Sequence, residues 1–189
     1  MKKLRCALIG ATGLAGQQFV AALKDHPWFE LTGLAASPRS AGKTYRDALR
    51  APNGMLGWFL TEPLPEALAN LVVVAGDQLD PTKYDVIFSA VEADVARELE
   101  PRYAKTLPVI SAASAFRYDD DVPLIIPPVN ASHSELIRKQ QQQRGWKGFI
   151  APMPNCTTTG LAVTLAPLQA AFGVKAVMMT SLQIGRAHV

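Results

Sequence analysis

One of the two cysteines in this chain stands where a helix is predicted to begin. Asn155 precedes Cys156, and three threonines at 157–159 and then Gly160 follow it. Asparagine is a favoured helix N-cap, and the positive end of a helix dipole favours the thiolate form of a cysteine in the first turn. Such a thiolate could attack an activated acyl group and hold it as a thioester. The spacing alone also allows a buried structural cysteine at a helix start.

A second candidate site lies near the N-terminus, where glycines recur at intervals of three residues. Gly10, Gly13 and Gly16 follow a short apolar run and open a helical pattern. Small residues let the backbone approach a pyrophosphate, and a helix N-terminus offers N–H groups and a positive dipole end. The spacing is a variant of the G-x-G-x-x-G pattern and predicts a dinucleotide site. A tight turn with close helix packing is the alternative.

The end of the second predicted strand, 29–36, indicates which dinucleotide is bound. An NAD site usually places Asp or Glu there to bind the ribose hydroxyls. This chain instead has two serines and two cations, namely Ser37, Arg39, Ser40 and Lys43. That set suits a 2′-phosphate, so we predict NADP rather than NAD. A basic surface loop is the alternative.

The elements that must position these residues alternate between strand and helix. Continuous apolar strands indicate a sheet buried on both faces, and repeated strand–helix units indicate an α/β, Rossmann-type doubly wound parallel sheet. The predicted strands are 4–9, 29–36, 71–75, 86–90, 108–111, 149–153 and 174–183. The predicted helices are 13–23, 93–103, 132–143 and 156–171, the third ending in a solvated run of four glutamines. We expect loops with short helices between 37 and 70.

The chain changes character near Pro152, where apolar helical sequence replaces the alternation of strands and helices. We therefore expect an NADP-binding Rossmann-like domain over 1–151. Residues 152–183 are then the start of an α+β catalytic and dimerisation domain.

The composition excludes several classes of protein. The chain has 189 residues, a net charge of +3 and 49% hydrophobic residues, which is typical of a folded globular protein. Its positive charge is spread without long runs, so a nucleic-acid partner is not indicated, and no stretch suits a membrane span. We expect no metal site. The two cysteines lie in unlike contexts, so we expect reduced thiols in a cytoplasmic protein, with Cys6 buried as a small hydrophobe.

Thioester chemistry with hydride transfer also needs a general acid or base, usually histidine. His26 lies near a helix end, His133 lies in or near the first turn of another helix, and His188 is the penultimate residue. None has the context of a catalytic base, so we assign none of them.

Four segments together resemble the aspartate-semialdehyde dehydrogenase family, in wording most similar to its archaeal and fungal branch. They are GATGLAG at 10–16, SPRSAG at 37–42, SAFR at 114–117 and PNCTT at 154–158. The resemblance covers about residues 3–183. It implies NADPH-dependent reductive dephosphorylation of 4-phospho-L-aspartate to L-aspartate 4-semialdehyde through a cysteine thioester. It also implies a role in lysine, methionine and threonine biosynthesis, and a homodimer or homotetramer.

The resemblance implies roles for individual residues. Cys156 is the nucleophile, Asn155 helps to position the acyl group, Arg117 holds the substrate phosphate and Gln183 orients the substrate. The cofactor residues are Gly10, Thr12, Gly13, Leu14, Ala15 and Gly16 in the phosphate turn, Ser37, Arg39 and Ser40 at the 2′-phosphate, and Ser89, Ala90 and Ser111 beside the nicotinamide.

Two features depart from the family pattern. Ala112 stands where relatives often have asparagine, which bears on the nicotinamide side. Residues 184–189 read IGRAHV where the family continues into a Ser-Gly-rich turn. This hexapeptide is one translated frame of a sequencing adapter, so we expect a non-native tail on a truncated reading frame. We expect such a fragment to lack the general base, to bind NADP weakly or not at all, and not to turn over.

Several alternatives stay open at this point. Arg117 could form a surface ion pair with Asp119 or Asp120. Malonyl-CoA reductase and N-acetyl-γ-glutamyl-phosphate reductase share the thioester chemistry. A non-catalytic nucleotide-binding module is the alternative of another class, and it predicts an unreactive Cys156.

Overall fold

A six-stranded parallel sheet forms the centre of the computed structural model, which describes residues 2–182. The strands are β1 (Leu4–Ile9), β2 (Phe29–Ala36), β3 (Val73–Ala75), β4 (Val86–Ser89), β5 (Pro108–Ser111) and β6 (Phe149–Pro152). Their order is β3-β2-β1-β4-β5-β6, and every neighbouring pair is parallel. The order reverses between β1 and β4, as in a dinucleotide-binding doubly wound sheet. The predicted fold class is therefore confirmed.

Helices and short turns connect these strands. The α-helices are α1 (Leu14–Leu23), α2 (Tyr45–Ala48), α3 (Glu66–Ala69), α4 (Ala93–Ala104), α5 (Pro127–Asn130), α6 (Leu136–Arg144) and α7 (Cys156–Phe172), with short 3-10 helices at Pro38–Ser40, Pro81–Lys83 and Ala131–Glu135. The helices predicted at 13–23, 93–103 and 156–171 are confirmed to within one or two residues. Helix α4 continues through Pro101 to Ala104, so the proline does not end it.

The sheet is apolar on both faces, as its continuous hydrophobic strands predict. Leu8 and Val20 are buried in one core cluster with Tyr45 of α2, while Ile9 and Leu99 are buried in a second cluster beneath α4. Consecutive residues of β1 thus contribute to opposite faces of the sheet, because side chains alternate in direction along a strand. Burial on both faces explains why these strands carry no polar alternation. Among residues 2–182, no helix combines the length and the apolar character that a bilayer span requires.

Two predicted elements are corrected by the structure. The helix expected from residue 132 begins as α6 only at Leu136, because a 3-10 helix occupies Ala131–Glu135 first. The strand expected at 174–183 does not form over 174–182, which have no regular secondary structure. Strands are stabilised by pairing, and within residues 2–182 no strand pairs with this segment.

The sequence predicts a solvated glutamine run at 140–143, and this is wrong for Gln140, which is completely buried. Its Nε2 donates to the Ile150 carbonyl at 3.0 Å and its Oε1 accepts from the Ile150 N–H at 2.7 Å. The same Nε2 lies 3.3 Å from the Asp121 carbonyl. Within the described sheet β6 is an edge strand, and this side-chain amide satisfies backbone groups that a further strand would otherwise pair.

We predict that Gln140→Ala destabilises the protein, because it leaves the buried N–H and carbonyl of Ile150 without partners. The expected loss in the free energy of unfolding is about 2–4 kcal/mol, measured by urea denaturation. Gln142→Ala is the matched control on the exposed side of the same helix, with an expected change below about 0.5 kcal/mol. Equal effects of the two substitutions would contradict the edge-pairing role.

Candidate functional site

The glycine-rich turn lies at the carboxyl end of β1, directly before α1. Gly10 has a φ of +82°, and a Cβ there would lie 2.4 Å from the Ala90 carbonyl oxygen. A Cβ on Gly16 would lie 2.1 Å from the Gly10 carbonyl oxygen, whereas at Gly13 the nearest atom is 3.6 Å away. Close backbone packing therefore requires Gly10 and Gly16. Gly13 is not required by packing and keeps the space before the helix open.

The turn presents backbone N–H groups at a helix N-terminus. Within residues 2–182 the N–H groups of Thr12, Leu14 and Ala15 donate to no backbone carbonyl. Two carbonyls of the same turn are bonded inward, since Tyr45 Oη donates to the Ala11 carbonyl at 2.7 Å and Gln17 Nε2 lies 3.2 Å from that of Thr12. A helix start with unpaired N–H groups is an anion-binding arrangement, so the turn suits a pyrophosphate.

Sequence reasoning missed Gln17 and Tyr45, the two side chains that hold this turn. Gln17 is fully buried and also donates to the Gly57 carbonyl at 2.8 Å and accepts from the Phe59 N–H at 2.9 Å. It lies three residues before Val20 on the buried face of α1, so a polar residue on an apolar face was the available signal. Tyr45 is also fully buried, and burial raises the pKa of its phenol.

The proposed 2′-phosphate residues follow β2 in a short 3-10 helix. Ser37 precedes this helix and is exposed, as are Arg39 and Lys43, whereas Ser40 is only 6% exposed. The Arg39 guanidinium forms no ion pair with any residue of the described chain. An exposed and uncompensated guanidinium at the end of β2 suits a phosphate ligand.

The residues expected beside the nicotinamide lie at the ends of β4 and β5. Ser89 and Ser111 are fully buried, and Ser111 Oγ donates to Oε1 of Glu100 on α4 at 2.6 Å. Their hydroxyl groups are therefore not exposed to a ligand. A cofactor would contact the backbone here and the half-buried Ala90, whose carbonyl packs against Gly10.

Cys156 is the first residue of α7 and is exposed. Asn155 is its N-cap, as predicted, with Oδ1 accepting from the N–H groups of Thr157 at 3.0 Å and Thr158 at 3.4 Å. Within residues 2–182 Cys156 is therefore not part of a buried core. Because the amide oxygen of Asn155 is engaged in capping, its NH₂ group is oriented away from the helix.

Cys6 is in the opposite situation, fully buried in β1 as the sequence predicts. Its sulfur donates to the Glu30 carbonyl at 3.3 Å. Burial, with a smaller contribution from the negative charge of Glu30, raises the pKa of the Cys6 thiol to about 12. Cys6 is therefore a core residue that remains a thiol at neutral pH.

Arg117 links the ends of two strands close to the cysteine. Its Nε donates to the Met153 carbonyl at 2.9 Å, and its Nη2 donates to the Ala112 carbonyl at 3.2 Å. Met153 lies three residues before Cys156, and its own N–H donates to the Ser111 carbonyl at 2.7 Å. Both partners of Arg117 are neutral carbonyls, and its Nη1 has no partner in the described chain. The guanidinium is thus oriented next to the cysteine segment without being neutralised.

The alternative interpretation of Arg117, an ion pair with Asp119 or Asp120, is not what the structure shows. Asp119 instead pairs with Arg97 at 3.1 Å and with Arg144 at 2.9 Å. Arg144 also binds Asp121, and the hydrogen bonds from its guanidinium hold the pKa of that carboxyl below its usual range. These pairs anchor the segment that follows β5 and leave Arg117 outside them.

Of the histidines, His26 lies away from this site. His26 Nδ1 accepts from the N–H groups of Trp28 and Phe29, both at 3.2 Å, at the start of β2 and therefore at the opposite edge of the sheet. His133 contacts the side chain of Asn130. His188 and Gln183 lie outside the described residues. Residues 2–182 also contain no group of three or more His, Cys, Asp or Glu side chains that could hold a metal ion.

We predict that a thiol reagent modifies Cys156 in the native protein at least about a hundred-fold faster than Cys6, because only Cys156 is exposed and a raised pKa removes the reactive thiolate of Cys6. Iodoacetamide labelling followed by peptide mass spectrometry measures both rates. Cys156→Ser and Cys6→Ala identify each signal, and unfolding in urea should make the two rates similar. Fast labelling of Cys6 in the folded chain would contradict this account.

Known proteins resemble this chain in sequence and in fold. The family model described as semialdehyde dehydrogenase, NAD binding domain, matches residues 5–137. Aspartate-semialdehyde dehydrogenase of Methanothermobacter thermautotrophicus is 45% identical over 176 residues, covering 93% of this chain and 49% of the relative. Malonyl CoA reductase (NADP) of Metallosphaera sedula is 38% identical over 183 residues, covering 96% and 49%.

Among solved structures, aspartate semialdehyde dehydrogenase with NADP from Candida albicans superimposes with a TM-score of 0.78 at 38% identity, covering 92% of this chain and 48% of that one. The chain thus spans about half the length of the curated relatives it matches. Because the family model matches residues 5–137, which is more than half of the chain and includes the glycine-rich turn, this chain belongs to the semialdehyde dehydrogenase family.

Proposed function

We propose that this chain supplies the cofactor site and the nucleophile of an NADPH-dependent aspartate-semialdehyde dehydrogenase. The reaction is the reductive dephosphorylation of 4-phospho-L-aspartate to L-aspartate 4-semialdehyde. One observation carries the proposal. Cys156 is exposed at a capped helix start, and the uncompensated guanidinium of Arg117 is held at the Met153 carbonyl, directly after β6 and three residues before the cysteine.

The residues of this chain account for the first half of the chemistry. The thiolate of Cys156 attacks the acyl carbon, a C–S bond forms, and the C–O bond to phosphate breaks. Arg117 binds the departing phosphate through the edge of its guanidinium that the two carbonyls leave open. Asn155, held by its capping bonds, donates its amide N–H to the acyl oxygen. NADPH, when bound, supplies the hydride that reduces the thioester.

The cofactor proposed for this chain is NADP. The turn at 10–16 fits a pyrophosphate, because side chains at Gly10 and Gly16 would occupy backbone space and Gly13 leaves the helix start open. Arg39 and Ser37 suit the 2′-phosphate, and no acidic residue stands at that strand end. The related structure from Candida albicans was determined with NADP.

We also propose the domain division that the sequence suggests. A cofactor-binding domain ends near Pro152, where β6 ends. Residues 152–183 then begin a catalytic and dimerisation domain, since none of the residues of α7 is buried and Phe172 is 82% exposed. Substrate orientation by Gln183, a homodimer or homotetramer, and a cytoplasmic location complete the proposal.

A second candidate function is malonyl-CoA reduction, which the relative from Metallosphaera sedula favours. The chemistry at Cys156 would be the same, with a coenzyme A thiolate leaving in place of phosphate. Arg117 favours the acyl phosphate, because its open guanidinium edge lies next to the cysteine segment, where a leaving phosphate would be released.

Activity should be assayed on the polypeptide completed to the length of its relatives, with the 189-residue chain beside it. We predict phosphate-dependent oxidation of L-aspartate 4-semialdehyde with NADP, followed as NADPH absorbance. Cys156→Ser should lower kcat at least about a thousand-fold, and Arg117→Ala should raise the KM for phosphate. Malonyl-CoA reduction without semialdehyde oxidation would instead establish the second candidate, and an active Cys156→Ser variant would exclude both.

Cofactor choice has its own prediction. Arg39→Ala should weaken NADPH binding by about 10–100-fold, since a charge-assisted hydrogen bond to phosphate is worth about 1.5–3 kcal/mol. NADH binding should not change. Calorimetric titration of the completed polypeptide with both cofactors measures this, and Arg138→Ala, an exposed arginine on α6, is the control. A preference of the unsubstituted protein for NADH would contradict the proposal.

A further inference from the structure

Glu100 on α4 is fully buried, and neither the thioester chemistry nor the cofactor turn uses it. Its Oε1 accepts from Ser111 Oγ at 2.6 Å. Its Oε2 has no hydrogen-bond partner within the described chain, and neither has Ser89 Oγ, which is also fully buried. Ser89 nevertheless lies close enough to influence the ionisation of Glu100. Two buried polar atoms without partners therefore lie near each other beneath the ends of β4 and β5.

The neighbours of Glu100 that favour its ionised form are two serine hydroxyls and one arginine, and burial opposes them. Helix α4 packs on β4, β5 and β6, and the groups that these strands direct at Glu100 are the neutral hydroxyls of Ser89 and Ser111. Arg97, one turn earlier on α4, is the charged group that acts on it. That guanidinium is half-exposed and is bonded to Asp119. Burial raises the pKa of Glu100 above its usual value of 4.5.

We infer that Glu100 carries its proton and is a positioning residue for the strand ends that face the cofactor and the substrate phosphate. With a proton on Oε2, Glu100 donates to Ser89 Oγ, so that both unpartnered atoms gain a hydrogen bond. Oε1 still accepts from Ser111, which a neutral carboxyl group permits because its carbonyl oxygen remains an acceptor.

Glu100 acts on the site through a continuous series of contacts. Ser111 Oγ, with its proton directed at Glu100, accepts from the N–H of Ala113 at 3.0 Å. The N–H of Ala112 donates to the Ser89 carbonyl at 2.8 Å, and the Ala112 carbonyl accepts from Arg117 Nη2 at 3.2 Å. The turn at 111–113 thus connects the buried carboxyl group to the guanidinium. That this turn faces the cofactor and the substrate phosphate rests on the proposed function. The hydrogen bonds from Glu100 to Arg117 do not depend on it.

The protonation of Glu100 is tested on the 189-residue chain with ¹³C-labelled glutamate carboxyl groups. Glu100→Gln identifies the signal by its loss, and Glu98, exposed on the same helix, is the matched control. We expect the Glu100 carbon to titrate at clearly higher pH than the Glu98 carbon. A Glu100 carbon that titrates together with Glu98 would overturn the inference.

Stability gives a second readout of the proton. Because the pKa of Glu100 is raised in the folded state, its contribution to stability is complete below about its usual value of 4.5 and is lost as pH rises through the folded value. Glu100→Gln removes that loss, so the stability of this variant relative to the original chain should increase from pH 4.5 upward. A difference that decreases with pH would show a carboxylate stabilised by the fold and would contradict the inference.

The positioning role is tested by the ¹⁵N resonances of the Ala113 amide and the Arg117 Nε–H. Glu100→Gln should leave both in place, because glutamine donates and accepts at the same two positions. Glu100→Ala should shift both, and Glu98→Ala should shift neither. Ser111→Ala breaks the same series of contacts and replaces Glu100→Ala if that variant does not fold.

A folded Glu100→Ala or Ser111→Ala variant with unshifted Ala113 and Arg117 signals would reduce Glu100 to a packing role and sink the inference. None of these measurements uses a cofactor. A failure of NADPH to bind would therefore count against the proposed function alone, and a failure of these resonances to respond would count against Glu100 alone.

Discussion

Helix α1 begins directly against the end of β1, and this close contact is the constraint on which the arrangement of the site depends. Gly10 and Gly16 leave only backbone between the strand, the helix and the end of β4. With the helix start fixed there, Tyr45 and Gln17 turn two carbonyls of the turn inward, and its N–H groups remain available to an anion. Because β1 pairs with both β2 and β4, the position of this contact also fixes where the ends of those two strands lie relative to the turn.

The sequence predicted the strands well because they are buried on both faces, and continuous apolar runs are then sufficient evidence. It also predicted the capping of α7, since Asn155 acts on residues only two and three positions away. Features that depend on distant contacts were not predictable in this way. The bond from Tyr45 to the Ala11 carbonyl spans 34 residues, and no local pattern indicates it.

The errors have the same origin. Gln140 belongs to a run that is polar throughout, and its burial follows from the open edge of β6, which no pattern within α6 reveals. The strand expected at 174–183 rested on alternation alone, and alternation specifies a strand only where a neighbouring strand can pair with it. The burial of the serines at the ends of β4 and β5 was likewise not predictable from local sequence. Their position next to Glu100 depends on how α4 lies across the sheet.

The hydrogen-bond partners of Arg117 are neutral, and this affects how an anion approaches the site. Carbonyl oxygens fix the plane of a guanidinium but do not cancel its charge, so a positive potential persists at the ends of β5 and β6. An approaching phosphate experiences that potential over roughly one Debye length, about 8 Å at physiological ionic strength. Added salt would therefore slow the encounter with an anion more than it would weaken the bound state. Lysine in this place would keep the charge and lose the planar orientation.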